Sequence, residues 1–395
     1  MDELDVFIKI YKSNENCIKH SKNFLYYFAT CFVINQLCAT GVYSAATQIL
    51  SDNFYSNPAE LNRVEKTQTI IGNLLLNPVA QFNGAVLGVS GAAKSNVNDS
   101  LPYLLTGFRI NDKVVVGLNI TPSGYGHLSW PMDSFVAYDS TVTKVLYYRF
   151  GFQSEYQFSE KLSLGIGFNL EWNKLAELNF IVAGSGNQIN KVSGLNYTGD
   201  LGLYYKINPK LFLSIAGYTQ VNTYGYGTSS LGAVVNNNLS LNLTEAPVIY
   251  VGLESFINDL WFLEGKIYWS GWPIQRNIDF TNTTTGSYVV PTDWKDVFSF
   301  QGTVRYAVME KFGLLGSFMY ETNPVPLATN AIGYPLAATG TLAGGVDFAL
   351  RKDLSIQVIY SYGVFLPNSP IDNATSLGTL DAHFQAGVLQ LAYKT

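Results

Sequence analysis

The sequence is poor in charge and in cysteine. Charged residues make up 13% of its 395 positions and the formal net charge is −5; the charged share is about half of what is usual. Such a chain lacks the basic surface that nucleic acid binding requires, so we expect no nucleic acid partner. All three cysteines precede residue 42, which excludes disulfides and cysteine-ligated metal sites from the rest of the chain.

The sequence also contains only one long apolar run. This run is Phe24–Gly41, preceded by Lys19 and Lys22 and ending on small residues. The pattern is typical of a secretory signal peptide, although a single membrane anchor has the same composition. Because the preceding residues 1–20 are polar, we expect a signal peptide with an extended N-terminus over 1–41 and a true start downstream of Met1.

Groups for catalysis are few. Outside the predicted signal peptide the chain has two histidines, His127 and His383, far apart in sequence and without a nucleophile motif around them. Gly165 and Gly167 are followed by no third glycine, so they do not form a nucleotide-binding loop. We therefore expect no enzyme, no cofactor and no metal site.

What the sequence does contain is period-two alternation. In 162–172 the bulky residues alternate with small or polar ones, and the bulky set is Leu162, Leu164, Ile166, Phe168, Leu170 and Trp172. The preceding run 141–157 alternates as well, and only a tight turn separates the two, which predicts an antiparallel hairpin. Each strand is about ten residues or longer, enough to cross a bilayer when tilted.

About fourteen such strands follow one another, joined alternately by short turns and long loops. We predict them at 67–82, 100–110, 113–121, 142–157, 161–174, 191–206, 210–221, 241–257, 260–271, 294–308, 311–322, 339–350, 353–365 and 380–394. Short turns on one rim, long loops on the other and an even number of strands are typical of a bacterial outer-membrane barrel, with the long loops outside the cell. The fold prediction is an all-β, transmembrane antiparallel barrel over 66–395.

Alternation also predicts which side chains face the lumen. They include Arg149, Gln153, Glu155, Asn169, Glu171, Glu264, Lys266, Gln301, Thr303 and Arg305. Two interpretations remain open: the charges pair with one another along a wet wall, or Arg149 or Arg305 binds an anionic head group. For the inward aromatics Tyr147, Tyr218 and Tyr268, contact with a hydrophobic cargo and packing of an inner plug are both open.

Ahead of the first strand lies the motif Asn57-Pro58-Ala59, preceded by Phe54 and Tyr55. Further segments belong to the same pattern: 151–167, 198–216, 245–253, 263–272 and 320–326 (YETNPVP). As a set, these segments resemble the FadL/TodX family of outer-membrane transporters for hydrophobic compounds. The chain departs from that pattern at Glu60, where the family usually has glycine, and at the final Thr395.

The resemblance implies a fourteen-stranded barrel with a short N-terminal hatch at 42–65 inside the lumen. It implies passive uptake of long-chain fatty acids or similar hydrophobic molecules, with outer-membrane lipid around a monomer. Gating is implied for the hatch motif and for a kink in the third strand, at Pro122, Gly124 and Gly126. From the residues alone, Pro122 either breaks a strand or begins a long loop. From their positions in the hatch or on the lumen side, the candidates for cargo contact are Phe54, Tyr55, Tyr147, Arg149, Tyr218, Tyr268 and Arg305.

The competing hypothesis is an open diffusion porin for small polar solutes. A porin conducts ions steadily across a planar bilayer, whereas a plugged barrel is nearly silent.

Overall fold

The computed structural model describes residues 56–395, without the side chains of Lys174 and Leu175. The predicted signal peptide and the first part of the predicted hatch, with Phe54 and Tyr55, lie outside the described residues. Twenty strands follow: β1 (Thr67–Val86), β2 (Val89–Asn96), β3 (Asp99–Asn111), β4 (Val114–Ser129), β5 (Val142–Gln157), β6 (Leu162–Val182), β7 (Gly186–Asn208), β8 (Leu211–Tyr218), β9 (Val221–Leu231), β10 (Val234–Glu245), β11 (Val248–Phe256), β12 (Trp261–Ser270), β13 (Asn277–Thr283), β14 (Gly286–Pro291), β15 (Val297–Met309), β16 (Phe312–Glu321), β17 (Thr339–Arg351), β18 (Leu354–Phe365), β19 (Ser369–Asp372) and β20 (Ser376–Lys394).

Fourteen of these strands form a closed antiparallel barrel, as predicted. Going around the wall, they are β1, β3 to β8, β11, β12, β15 to β18 and β20. The barrel closes where β20 pairs with β1 over the whole length of β1, from Gln68 opposite Lys394 to Val86 opposite Ser376. Closure removes the two terminal edges of the sheet, which is a condition for a sheet to stand in lipid.

The wall carries its bulky side chains on the outside. On β6, Ile166 and Phe168 are 61% and 57% exposed, whereas the intervening Asn169 and Glu171 are buried in the lumen. A soluble barrel would bury the bulky face, so this arrangement is that of a membrane-spanning barrel. In the described residues no helix is long and apolar enough to cross a membrane.

Several strand boundaries differ from the sequence prediction; β6, for example, ends at Val182 rather than at 174. The predicted strand 241–257 consists of the end of β10 followed by β11, because the strand is interrupted at Ala246 and Pro247 and proline cannot donate to a ladder. Five strands that the prediction missed or treated as loop extend the wall beyond the long-loop rim, together with β10; the five are β2, β9, β13, β14 and β19. Their pairing is between segments distant in sequence, which local alternation does not reveal.

The largest extension stands on the outer ends of β6 and β7. There β9 pairs with β7, β10 with β9, β13 with β10 and β14 with β13. Leu239, Leu241 and Phe280 form an apolar cluster on its inner side. The extension therefore surrounds an apolar space above the barrel mouth.

Short 3-10 helices complete the described fold. They are Pro58–Arg63, Phe135–Tyr138, Trp272–Ile274 and Leu327–Thr329. The first lies inside the barrel and the other three lie in connections at the long-loop end.

Candidate functional site

The described part of the predicted hatch, residues 56–65, lies inside the barrel; we call it the inner segment. Asn57 caps its 3-10 helix, since the Ala59 N–H donates to Asn57 Oδ1 at 2.9 Å. The Asn57 amide also donates to Ser214 Oγ at 2.9 Å and to the Leu203 carbonyl at 3.2 Å. Asn57 and Ala59 are completely buried. The motif thus docks the inner segment on β7 and β8.

Three inward glycines make room for this docking. A Cβ on Gly165 of β6 would overlap the backbone of Pro58 and Ala59, and a Cβ on Gly202 of β7 would overlap Asn57. Gly165 and Gly202 are direct cross-strand neighbours. On β4, a Cβ at Gly117 would lie 2.9 Å from a methyl carbon of Leu61. We call these glycines the glycine seat.

Charged groups anchor the other side of the inner segment. Glu60 Oε1 accepts a hydrogen bond from Ser214 Oγ at 2.6 Å, and Arg63 pairs with Glu254 of β11. Arg109 of β3 donates to the carbonyls of Asn62 and Val64 at 2.7 and 2.9 Å. Glu60, the departure from the usual glycine, is therefore part of the anchor. These contacts all lie near the short turns, so the inner segment is held at that end of the lumen.

The predicted kink is present in β4 as a bulge. The register between β4 and β5 shifts between Pro122 and Gly124, and β4 continues beyond them to Ser129. The interpretation of Pro122 as the start of a loop is therefore wrong. The extra residue, Ser123, donates to Glu171 Oε2 at 2.6 Å. A proline without a donor and a glycine without a side chain accommodate the shift.

Above the bulge, the wall between β3 and β4 is not paired by its backbone. The ladder between the two strands ends at Leu104 and Ile120. Beyond that pair β4 continues to Ser129 along β5, and β3 continues to Asp99 along β1. In the described sheet this leaves one gap-like seam on the long-loop side of the bulge; we call it the wall seam.

Side chains close the wall seam. Asp99 accepts from Tyr125 Oη at 2.7 Å and from Lys144 Nζ at 2.7 Å, and His127 Nδ1 lies 2.5 Å from the same carboxylate. Farther out, the Ser129 N–H donates to Ser95 Oγ at 2.8 Å. Side-chain contacts break at less cost than a continuous ladder, so the seam is the part of the wall best able to open.

An apolar cavity of about 90 Å³ lies in the lumen behind the wall seam; we call it the inner cavity. Its lining includes Tyr125 to Leu128 of β4 and comes otherwise from far-separated parts of the chain. The other lining residues are Pro78, Val79, Ala80, Thr143, Trp272, Val297, Glu321, Pro324, Gly333 to Ala337, Thr339, Phe365, Ala382 and Phe384.

A second apolar cavity, of about 280 Å³, lies inside the extension sheet; we call it the vestibule. Its walls include Leu178, Leu241, Phe280 and Tyr288. Tyr288 stacks on Phe280 with 4.7 Å between ring centroids and meets Phe180 edge-on. The vestibule is thus built by the strands that the sequence prediction treated as loops.

The two cavities meet at Thr143, Gly333 and Tyr334, which line both. Tyr334 closes a turn with Ala331 and stacks on Trp294 at 5.9 Å between centroids. We call 331–334 the dividing turn.

Asp139 holds the dividing turn from the opposite loop. The Ile332 N–H donates to Asp139 Oδ2 at 3.2 Å. Burial raises the pKa of the Asp139 carboxyl to about 6, and this hydrogen bond partly opposes the rise.

The residues assigned to cargo contact take other positions. Arg149 donates to Glu171 Oε1 at 2.5 Å and lies over the Tyr218 ring. Tyr218 donates to the Ser56 carbonyl, and Tyr268 to Gln301 Oε1 at 3.1 Å. Tyr147 packs with Trp272 and Trp294, while Arg305 lies over Phe262 and lines a polar cavity at the short-turn rim. These five residues line neither the inner cavity nor the vestibule, and their contact with cargo stays a prediction.

The gating residues, in contrast, converge on features just described. Asn57, Pro58 and Ala59 occupy the glycine seat, Pro122 and Gly124 flank the bulge, and Gly126 lines the inner cavity. His127 is at the wall seam, while His383 stacks on Tyr362. Within the described residues, no group of three His, Cys, Asp or Glu side chains could hold a metal ion.

Sequence reasoning missed Glu321, Tyr334 and Asp139. Glu321 ends β16, and the prolines that follow it signalled a loop rather than a lumen contact. The three residues come together only because the loop 322–338 folds back into the barrel mouth.

Comparison with known proteins agrees with the architecture. Residues 184–394, more than half of the chain, match the family described as outer membrane protein transport protein (OMPP1/FadL/TodX). The long-chain fatty acid transport protein of Escherichia coli O157:H7 is 20% identical over 390 residues, 84% of this chain and 87% of that protein. The crystal structure of a Pseudomonas aeruginosa FadL homologue has a TM-score of 0.78 at 14% identity, covering 92% of this chain and 99% of that one. For the P. putida toluene transporter TodX the values are 0.66 and 15%, with 86% and 93% covered. The two crystal structures share the fold of this chain.

Proposed function

The chain belongs to the outer membrane protein transport protein family (OMPP1/FadL/TodX), and from this premise we propose that it takes up hydrophobic small molecules passively across the outer membrane. Candidate cargoes are long-chain fatty acids and aromatic hydrocarbons, which the names of its relatives mention. The chain is an outer-membrane β-barrel of a transport family, and its cargo and route are the parts proposed here.

One observation carries the proposal: the vestibule and the inner cavity are both apolar and share a boundary. An apolar solute gains roughly 0.8 kcal/mol for each methylene that it removes from water. A water-filled pore gives no such gain, so an apolar route favours hydrophobic cargo over polar solutes. Cargo would enter the vestibule, pass the dividing turn and rest in the inner cavity.

Exit would take place sideways, through the wall seam. The inner cavity is lined by Tyr125 to Leu128, the stretch of β4 that lacks backbone pairing to β3. The cargo would then move directly into the apolar membrane without crossing the periplasmic side of the lumen. Pro122, Gly124 and Gly126 would supply the irregular backbone that this opening needs.

The inner segment would serve as the hatch. It would seal the short-turn end, and its contact with β4 through Leu61 and Gly117 lies on the same strand as the bulge. Movement of the inner segment would be transmitted along β4 to the seam. Phe54 and Tyr55, which lie outside the described residues, stay candidates for cargo contact.

The test is uptake of labelled long-chain fatty acid and of labelled alkylbenzene by cells that lack their own transporter. We expect at least one cargo to enter faster when the protein is in the outer membrane, and deletion of 42–60 to abolish the gain. Absence of uptake of both cargoes by folded protein would overturn the proposal.

The diffusion-porin hypothesis is tested by the same preparation in a planar bilayer. A closed lower lumen predicts almost no steady ion conductance. Steady conductance together with absent uptake would favour the porin.

A further inference from the structure

An unbroken series of side-chain contacts joins the inner segment to the bulge of β4. Tyr218 of β8 donates a hydrogen bond to the Ser56 carbonyl, and the guanidinium of Arg149 on β5 lies over the Tyr218 ring, 5.3 Å from its centroid. Arg149 Nε donates to Glu171 Oε1 of β6 at 2.5 Å. Glu171 Oε2 accepts a hydrogen bond at 2.6 Å from the hydroxyl of Ser123, the extra residue of the bulge. We call Tyr218, Arg149, Glu171 and Ser123 the relay.

The bulge depends on the last of these contacts, because Ser123 has no ladder partner. In the described sheet the ladder from β4 to β3 ends at Ile120, and the ladder to β5 passes from Pro122 to Gly124 without Ser123. Its hydroxyl instead reaches past β5 to Glu171 on β6. A side-chain hydrogen bond thus holds the bulge where backbone pairing does not, so a change at Glu171 acts directly on β4.

Burial makes the relay sensitive to the loss of any one contact. The side chains of Arg149 and Glu171 are each 4% exposed, and Ser56 and Tyr218 are buried as well. When a buried polar group loses its partner, water does not replace the lost hydrogen bond, and the free energy of the group rises. A displacement at one end of the relay therefore alters the balance of contacts at the other.

Resting on the proposed function, we propose that the relay couples docking of the inner segment to the shape of the bulge, so that release of the hatch loosens β4 beside the wall seam. When the Ser56 carbonyl leaves, Tyr218 loses its acceptor and its ring no longer holds Arg149 in place. Glu171, which Arg149 orients, then holds Ser123 less firmly. The coupling is reciprocal, so a distorted bulge also weakens docking. Arg149 is on this account a positioning residue, and the relay adds a second path beside β4 itself.

Hydrogen exchange measured by mass spectrometry reports both ends of the relay in one experiment. The full chain, folded in a non-ionic detergent, is compared with Tyr218→Phe and Ser123→Ala, each of which removes one hydroxyl and keeps the packing. We expect Tyr218→Phe to speed exchange in 123–129 about threefold, and Ser123→Ala to speed exchange in 56–65 by a similar factor. In the Ser123→Ala background, Tyr218→Phe should add little at 123–129, because the relay is already broken.

Arg149→Lys tests the middle of the relay. Lysine keeps a positive charge beside Glu171, so the fold is retained, but it lacks the planar group that lies over Tyr218. In this background neither end variant should change exchange at the opposite end. Tyr268→Phe is the matched control, since the Tyr268 hydroxyl donates to Gln301 rather than to the inner segment, and both segments should exchange as in the wild type. Sheet content and heat-modified gel mobility confirm that each variant is folded.

The outcomes separate the two proposals. The relay is overturned if either end variant leaves exchange at the opposite end unchanged, or if Tyr268→Phe has the same effect as Tyr218→Phe. It is also overturned if the effects persist with Arg149→Lys, because the coupling would then run along β4 alone. Each of these results leaves hydrophobic transport standing. Absence of cargo uptake by the wild type would overturn transport, whatever the exchange experiment shows.

Discussion

The two ends of the lumen differ in the polarity of their side chains. At the short-turn end, buried polar and charged side chains pair with one another and with the inner segment, as Arg63 does with Glu254. At the long-loop end, the lumen holds two apolar cavities, each with one carboxylate in its lining. The wall is fully paired around the first region and only side-chain bridged at one seam in the second.

The difference separates sealing from passage. A network of satisfied buried polar groups is rigid, because removing one partner leaves another unsatisfied. An apolar cavity has few polar groups that need a partner, so it would accept cargo without requiring a specific geometry. In the proposed function the inner segment would close the floor and the apolar upper lumen would admit cargo, and the following changes test that division.

The largest effect is expected from breaking the buried ion pair of the packed region. Arg149→Leu leaves Glu171 buried without its partner, and the side chains of both are about 4% exposed. We expect a loss of about 3–5 kcal/mol in the free energy of unfolding, measured by urea denaturation in detergent micelles. The double variant Arg149→Leu with Glu171→Leu should recover most of the loss. A single variant as stable as the wild type would contradict the account.

Next comes the glycine seat. Gly165→Ala places a methyl group against the backbone of Pro58 and Ala59, which cannot rotate away. We expect about 2–3 kcal/mol weaker docking of the inner segment, seen as ion conductance in a planar bilayer. Gly199→Ala on β7 is the control, since its Cβ would meet nothing nearer than 3.5 Å. Absence of ion conductance in both variants would show that docking of the inner segment does not depend on the glycine seat.

The dividing turn should respond to pH through Asp139. Its pKa is raised to about 6 by burial, so the folded contact favours the protonated acid. The stabilisation is complete below about pH 4 and is lost as the pH rises through about 6, amounting to about 1–3 kcal/mol. Hydrogen exchange at the Ile332 amide, corrected for the intrinsic pH dependence, measures this local opening. Asp139→Asn should flatten the profile; an unchanged profile in that variant would assign the effect to another group.

A smaller effect is expected at the boundary between the cavities. Tyr334→Ala removes the ring that lines both and stacks on Trp294. We expect cargo uptake to rise about two- to fivefold, equivalent to roughly 0.5–1 kcal/mol in barrier height. Tyr138→Ala, an exposed residue that lines only the vestibule, is the matched control. Equal rates in the wild type and both variants would place the barrier elsewhere.

The smallest effect is expected in the turn between β1 and β2. Leu87 has φ of +49° there, followed by Gly88 at +82°. Asparagine tolerates this left-handed region better than leucine, so Leu87→Asn should stabilise the hairpin by about 0.5 kcal/mol. The thermal midpoint should rise slightly while uptake stays the same. A lower midpoint would indicate that the leucine side chain contributes a contact in the membrane interface.

Much of the barrel was predictable because its rule is local. Whether a side chain faces lipid or lumen depends on its place in a period-two pattern, so Arg149, Glu171 and Lys266 were assigned to the lumen without knowledge of their partners. The fourteen strands were found for the same reason. For Pro122 the sequence left two interpretations open, a break within a strand and the start of a loop, because proline interrupts a ladder in either case.

The site was less predictable because its residues are brought together by distant pairing. The lining of the inner cavity joins Val79, Tyr125, Glu321 and Ala382, and no spacing in the sequence links them. The vestibule depends on β13 and β14, whose short runs carry no alternation strong enough to mark them as strands. The inward tyrosines were correctly placed on the lumen side, but they pack the floor, where Tyr218 contacts the inner segment.

The central claim is that cargo leaves through the wall seam, and locking the seam tests it most directly. Ser95 Oγ accepts from the Ser129 N–H at 2.8 Å across the seam, and no cysteine follows residue 38. The double variant Ser95→Cys with Ser129→Cys can therefore form a single disulfide there. The account predicts that uptake of labelled alkylbenzene stops when the disulfide forms and returns on reduction, while each single variant behaves as the wild type. Undiminished uptake with the disulfide formed would contradict lateral exit.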